Sequence, residues 1–316
     1  DNIAIGYDAM TTNTAGGTQN IGIGNYALDA LTSADNCVGI GYAALGATTT
    51  GGNNTGVGWS ALLANSTGDS HTAFGYNALA SVTTSTGNTA VGTNAGDAIT
   101  TANHNVAIGY NAMTTNSTGN GNVAVGQDAL NSLAGAIDNV AIGQQALKVN
   151  LGRANVAVGG RAGFQCTDGF TNVMVGEIAG GDVTTGDNNI LIGNEAGRSG
   201  SPGGAITTAN NILSLGDGNI ATANVQVDWT VASDKRDKTD VEPVKMGLDF
   251  VNKLEPVTYQ WDKRSLYIDK DTDKDGIKTD KTDLNDVVPD GTHKEDWKDV
   301  GFLAQDVEKL EEEYGH

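Results

Sequence analysis

A unit of about 17 residues recurs from the start of the chain to residue 216, and nothing else restricts the fold so much. The unit reads Asn-(Ile/Val/Thr)-(Ala/Gly)-(Ile/Val)-Gly-x-x-Ala-(Leu/Met). Its central glycines fall at 6, 24, 41, 58, 75, 92, 109, 126, 143, 159, 176 and 193, and Leu213-Ser-Leu-Gly216 forms a degenerate thirteenth copy. So short a unit cannot bury its own apolar face. It is stable only when copies stack, which predicts a β-solenoid over residues 1–223.

Each unit holds one short strand with period-2 alternation. Ile3 and Ile5, Val106 and Ile108, and Val140 and Ile142 lie on one face, which is expected to pack the core. The residue between them is Ala or Gly, as at Ala4, Gly22, Gly39, Ala107 and Ala141, and that face is expected to admit a second backbone. The glycine after the strand marks a turn with positive φ or a tight contact. Three residues on, the alanines from Ala9 to Ala196 mark a place for a small side chain. Asn recurs four residues before the glycine and predicts a hydrogen-bonded ladder from coil to coil, interrupted at Cys37, His71 and Ile212. The remainder, such as Thr114-Thr-Asn-Ser-Thr-Gly-Asn120, reads as exposed turn. Thirteen coils at ~4.8 Å each would span roughly 60 Å.

Tyr7, Tyr42, Trp59, Tyr76 and Tyr110 each follow the glycine and should align along one edge. Such a row reads as a packing ladder, or alternatively as a stripe on which sugars stack. Cys37 and Cys166 are many coils apart and read as small packing residues. His71, His104, His293 and His316 stand in no metal-binding pattern. The repeats hold no standout acid/base pair, so no hydrolase or lyase site is expected there.

Net charge is −20, with 44 glycines and only 4 prolines. So acidic a chain repels nucleic acid and anionic lipid, and neither is expected as a partner. No apolar run approaches the ~20 residues that a spanning helix needs. One coil is thin and rich in Ala and Gly, so three chains around one axis, with the Ala/Gly face inward, are expected. The repeats resemble the heads of trimeric autotransporter adhesins and, more closely, repeats of phage tail fibres; the resemblance covers residues 1–216.

At Ser233-Asp-Lys-Arg-Asp-Lys238 the composition changes to a charged α+β sequence. Residues 224–232 alternate and read as a connecting strand. Met246–Leu254 reads as a short amphipathic helix that Pro256 stops, Val257–Trp261 as a strand, and Val300–Leu310 as a strand running into a helix. Ser-Asp-x-Arg-x-Lys, then Gly247-Leu-Asp-Phe-Val-x-x-Leu-x-Pro-Val-x-Tyr-x-Trp261, then Gly301-Phe-Leu-Ala-Gln-Asp-Val-Glu308, resemble the endosialidase-type intramolecular chaperone domain. The resemblance covers residues 233–316 and implies a small α+β domain that trimerises, guides folding of the β-rich stalk and cuts itself off. It further implies Ser233 as nucleophile, Lys238 as base, and cleavage between Ser233 and Asp234. Serine needs a base to become nucleophilic, and lysine serves when nearby cations lower its pKa. Lys235 and Arg236 act in that sense; Asp234, Asp237 and Asp240 oppose it. Asp237 stands where the family has an apolar residue, and the sequence stops at His316 before the family's long helix, so a longer fibre chain is expected.

Asp271-x-Asp273-x-Asp275-Gly276 matches the first half of a calcium loop, with Thr282 where the bidentate Glu would stand. These three aspartates are the candidate calcium ligands; a solvated hairpin tip is the alternative. No other cofactor is expected. The whole reads as a mainly β homotrimeric tail-fibre protein of a virion, adhesive rather than catalytic. Its expected partners are other tail proteins and a host glycan or protein receptor. A bacterial trimeric surface adhesin and a polysaccharide-degrading tailspike are the alternatives.

Overall fold

The structure is a computed structural model that describes residues 1–13, 16–220, 223, 247–262, 264–267, 270–272, 278–280, 287–294 and 296–314. The chain divides into two units, Asp1–Asp217 and Gly218–His316. The expected connecting strand lies outside the described residues.

The first unit is a solenoid. Thirteen strands of three residues pair in sequence order into one parallel sheet. Register is repeat on repeat, as in Val38↔Thr55, Thr55↔Thr72 and Thr72↔Thr89. The glycine that closes each strand meets both expectations. Gly75 has φ 137°, and a Cβ there would lie 2.5 Å from the carbonyl oxygen of Gly92 in the next coil. Left-handed residues then bend the chain around. Ala43, Leu45 and Asn53 have φ 52°, 54° and 57°, and equivalents recur down the solenoid. Such a backbone costs an L-residue about 1–2 kcal/mol, so no coil is a favourable local structure by itself. Bonds between coils hold it: Leu45 N–H donates to Ala61 O at 2.9 Å, and Ala43 N–H to Asn25 O at 2.9 Å.

The two faces of the strand are the reverse of the expectation. The middle residue points into the chain's own core: Ala73, Ala90, Ala107, Ala124, Ala141 and Ala157 are fully buried. The flanking Ile and Val residues point out and are half-buried or exposed. The reason is the opposite wall. Leu28, Leu45, Leu62, Leu79, Leu130 and Leu147 reach across the coil and fill its centre, so only Ala or Gly fits beneath them. At Gly39 an added Cβ would lie 3.2 Å from Leu28 Cγ. At Gly96 the leucine row gives way to glycine and Ile99 fills the space, the strands keeping Ala90 and Ala107; at Gly163 and Gly180 the strand itself compensates. Met174 takes the place of alanine, and its side chain occupies the space beside Gly163 and Gly180. The Ala/Gly face therefore cannot line an axis shared by three chains.

The asparagine ladder is present. Asn88 Oδ1 accepts from Asn105 N–H at 2.9 Å, Asn105 Oδ1 from Asn122 N–H at 2.9 Å, and Asn122 Oδ1 from Asn139 N–H at 3.0 Å. Most of these amides also donate to a carbonyl of the next coil, as from Asn88 to Ala102 O at 2.7 Å and from Asn122 to Ala136 O at 2.8 Å. His71 continues the ladder instead of breaking it. Its N–H donates to Asn54 Oδ1 at 2.9 Å, its Nδ1 accepts from Asn88 N–H at 3.1 Å, and its Nε2 bonds Ser85 O at 2.9 Å. The neutral ring thus supplies the same acceptor and donor as an asparagine amide. Ile212 receives the last bond, from its N–H to Asn189 Oδ1 at 2.9 Å, and has no acceptor to pass on. Cys37 and Cys166 are buried free thiols. Burial pushes the Cys166 thiol up to about 12.

In the second unit, helix α1 (Leu248–Lys253) precedes the strand Val257–Tyr259. That strand pairs antiparallel with Asp299–Gly301, which runs on into helix α2 (Ala304–Glu313). These match the helix, strand and strand–helix expected there. A second hairpin pairs Lys270–Thr272 with Lys278–Asp280.

Candidate functional site

Turning the β-branched residues outward creates a surface. Two side chains per strand, thirteen strands deep, form a ribbon from Ile3 and Ile5 to Leu213 and Leu215. None is charged, and the polar ones are Thr55, Thr72 and Thr89 alone. Ile5 is 59% exposed and Ile192 43%. With ~4.8 Å per strand and about 12 Å across two side chains, the ribbon covers on the order of 700 Å². A soluble monomer's largest apolar patch is usually about 300–600 Å². A stable complex buries ~800 Å² per partner. Sequence reasoning placed these residues in the core. The signal that could have exposed them is the absence of charge at both strand positions in every copy of an acidic chain.

Beside the ribbon runs the aromatic row. Tyr7 and Tyr26 meet edge to face with ring centres 5.6 Å apart, as do Tyr26 and Tyr42 at 5.6 Å, and Tyr42 stacks on Trp59 at 4.3 Å. The rings cover one another as a packing ladder does, yet Tyr7, Trp59, Tyr76 and Tyr110 keep at least half their surface in solvent. Tyr26 was not anticipated, because it stands two residues after its glycine, where the other rings stand one residue after theirs.

The C-terminal unit does not close a core among its described residues. Neither helix has a buried residue, and Leu248, Val251 and Val300 are exposed. Phe250 meets Tyr314 edge to face at 5.7 Å, and Lys253 pairs with Glu313 while lying 4.9 Å from the Tyr314 ring centre. The pairing with Glu313 holds the Lys253 ammonium above its usual pKa. Between the helices lies a groove of about 270 Å³ lined by Leu254, Val257, Phe302, Leu303, Val307 and Leu310. Farther on, Tyr267 Oη donates to Asp262 Oδ1 at 2.8 Å and accepts from Gly291 N–H at 3.1 Å.

Residues 233–316 match the chaperone-of-endosialidase family. A repeat β-solenoid followed by a chaperone-of-endosialidase domain fits a tail fibre with a C-terminal chaperone. No curated protein matches the chain.

Within this chaperone domain, Ser233, Asp234, Asp237 and Lys238 lie outside the described residues, as do Asp273 and Asp275. Asp271 lies in the hairpin, opposite Thr279. Among the described residues no group of three or more His, Cys, Asp and Glu is placed to hold a metal ion, and no helix is long and apolar enough to cross a membrane.

Proposed function

We propose that the chain is a segment of a homotrimeric tail fibre, whose chaperone domain drives assembly of the solenoid and whose rod presents itself to a host surface. One observation carries the trimer: the uncharged outward ribbon, which needs a cover as long as itself. Two further copies of the chain supply it, with three ribbons turned to a common axis. A rod then remains whose outside is amide, hydroxyl, acid and exposed aromatic, suited to a host glycan or protein receptor.

The test puts a charge on the ribbon. Ile108→Asp with Val140→Asp should leave the circular dichroism of the solenoid unchanged and reduce the mass by light scattering from three chains to one. A wild type that stays a single soluble chain defeats the proposal.

The proposal includes processing of the junction. Lys238 takes the proton of Ser233, whose Oγ adds to the Ser233 carbonyl carbon of a neighbouring copy; the C–N bond to Asp234 breaks, the Asp234 amine leaves with the proton from Lys238, and water hydrolyses the ester to restore the hydroxyl. It rests on Ser-Asp-x-Arg-x-Lys standing where the repeats end. On a denaturing gel the wild type should give fragments that Ser233→Ala and Lys238→Ala both lack. A wild type that stays whole after assembly leaves a retained chaperone and no protease.

A further inference from the structure

The ribbon is nearly the same at every coil, and that raises a problem the trimer must solve. If one chain slides along its neighbours by one coil, Ile and Val again face Ile and Val. Only one coil of contact in thirteen is lost. Hydrophobic burial is non-directional and barely separates the slipped arrangement from the aligned one.

One stretch of the ribbon differs. Thr55, Thr72 and Thr89 occupy the first outward position of three consecutive strands and are paired Thr55↔Thr72 and Thr72↔Thr89. The strands on either side carry Val38 and Val106 at that position. All three threonines are half-buried already in the single chain. Among the thirteen solenoid strands no other has a polar residue at either outward position.

We infer that Thr55, Thr72 and Thr89 form a polar belt that fixes the axial register of the three chains. This inference rests on the trimer proposed above. In the aligned trimer the three belts meet at the same levels, and hydroxyls satisfy one another or shared water. A slip of one coil sets a threonine level against valine at each end of the belt. A hydroxyl buried without a partner costs about 1–3 kcal/mol, so the slipped forms are penalised although their apolar contacts are kept. Single polar residues inside coiled-coil seams choose register by the same physics, at a cost in stability. The belt has a second consequence: threonine buries less apolar surface than valine, so the belt weakens the interface that it aligns.

The experiment uses the full chain. Two differently tagged versions are co-expressed, one carrying Val123→Cys and the other Val140→Cys, which are register partners in adjacent coils. A disulfide joins Cα atoms about 4.4–6.8 Å apart, usually about 5.5–6 Å, and an added axial offset of ~4.8 Å stretches that usual separation to about 7.5 Å, beyond reach. With the native belt, disulfides between chains should join like positions at least tenfold more often than unlike ones. In the background Thr55→Val, Thr72→Val, Thr89→Val the unlike disulfides should rise to a comparable yield, while the melting temperature stays equal or increases. Unchanged disulfide ratios in a trimeric triple variant overturn the belt and leave the trimer standing. A monomeric wild type overturns both.

Discussion

His71 shows how far one residue can be asked to imitate another. Its ring stands in the ladder only while Nδ1 is an acceptor for the Asn88 N–H. Protonation would set a donor against a donor. Burial holds the His71 pKa below its ordinary value of 6.5, against the pull of its bonds to Ser85 and Asn88 and of the charge on Asp69. A base with a lowered folded pKa binds its proton more readily in the unfolded chain. Its contribution to stability is therefore whole above pH about 6.5 and falls as the pH drops below that value toward the depressed folded pKa, at up to about 1.4 kcal/mol per pH unit. Melting temperatures should fall more steeply from pH 7 to 5 in the wild type than in His71→Asn, whose amide has no proton to gain. Parallel curves for the two proteins would show that the imidazole binds its proton equally in both states, so that burial does not shift its titration. Reading the sequence by residue name made His71 a break in the ladder. Reading it by donor and acceptor would have kept the ladder whole, since one ring nitrogen does the work of Oδ1 and the other that of Nδ2.

At the scale of the element, the coil is held by what it gives to the next coil. Asn122 Oδ1 serves the N–H of Asn139 at 3.0 Å, and its amide serves Ala136 O at 2.8 Å. Asn122→Ala leaves both buried backbone groups without partners. At about 1–3 kcal/mol each, the variant should lose roughly 2–6 kcal/mol, read as a lower midpoint in urea with an unchanged slope. The period, the strands, the turn glycines and the ladder were legible because each is a residue identity repeated at fixed spacing. The faces were not. Ile-Ala-Ile reads by habit as large inside and small outside, and the leucine that forbids this sits on the far wall, four residues past the glycine. Nothing within the strand itself announces it. In the C-terminal unit the helix and strand positions were legible from apolar spacing and Pro256. The exposure of its described apolar side chains was not, because exposure depends on partners that local pattern does not name.

The whole solenoid inherits the costs of its parts. Leu45 and its equivalents adopt left-handed backbone inside the core, and every strand partner is at least a full repeat away. Early coils gain little until others stack on them, so nucleation is slow and the first correct stack is rare. A chaperone domain at the end of such a chain answers that difficulty. A chain ending at residue 232 should therefore refold from denaturant with at least tenfold lower yield of assembled rods than the full chain, measured by light scattering and circular dichroism. Removing the domain after assembly should leave the melting temperature unchanged. Equal refolding yields would separate the solenoid's folding from its neighbour. The sameness of the coils has one more outcome, which concerns descent rather than folding. Away from the threonine belt, an added or deleted unit meets nearly the same neighbours as any other, so it changes the reach of the rod by one ~4.8 Å step and keeps the kinds of contact. Tandem copies are the kind of DNA in which units are gained and lost by misalignment. Length, in such a protein, is a trait that inheritance can tune in single increments.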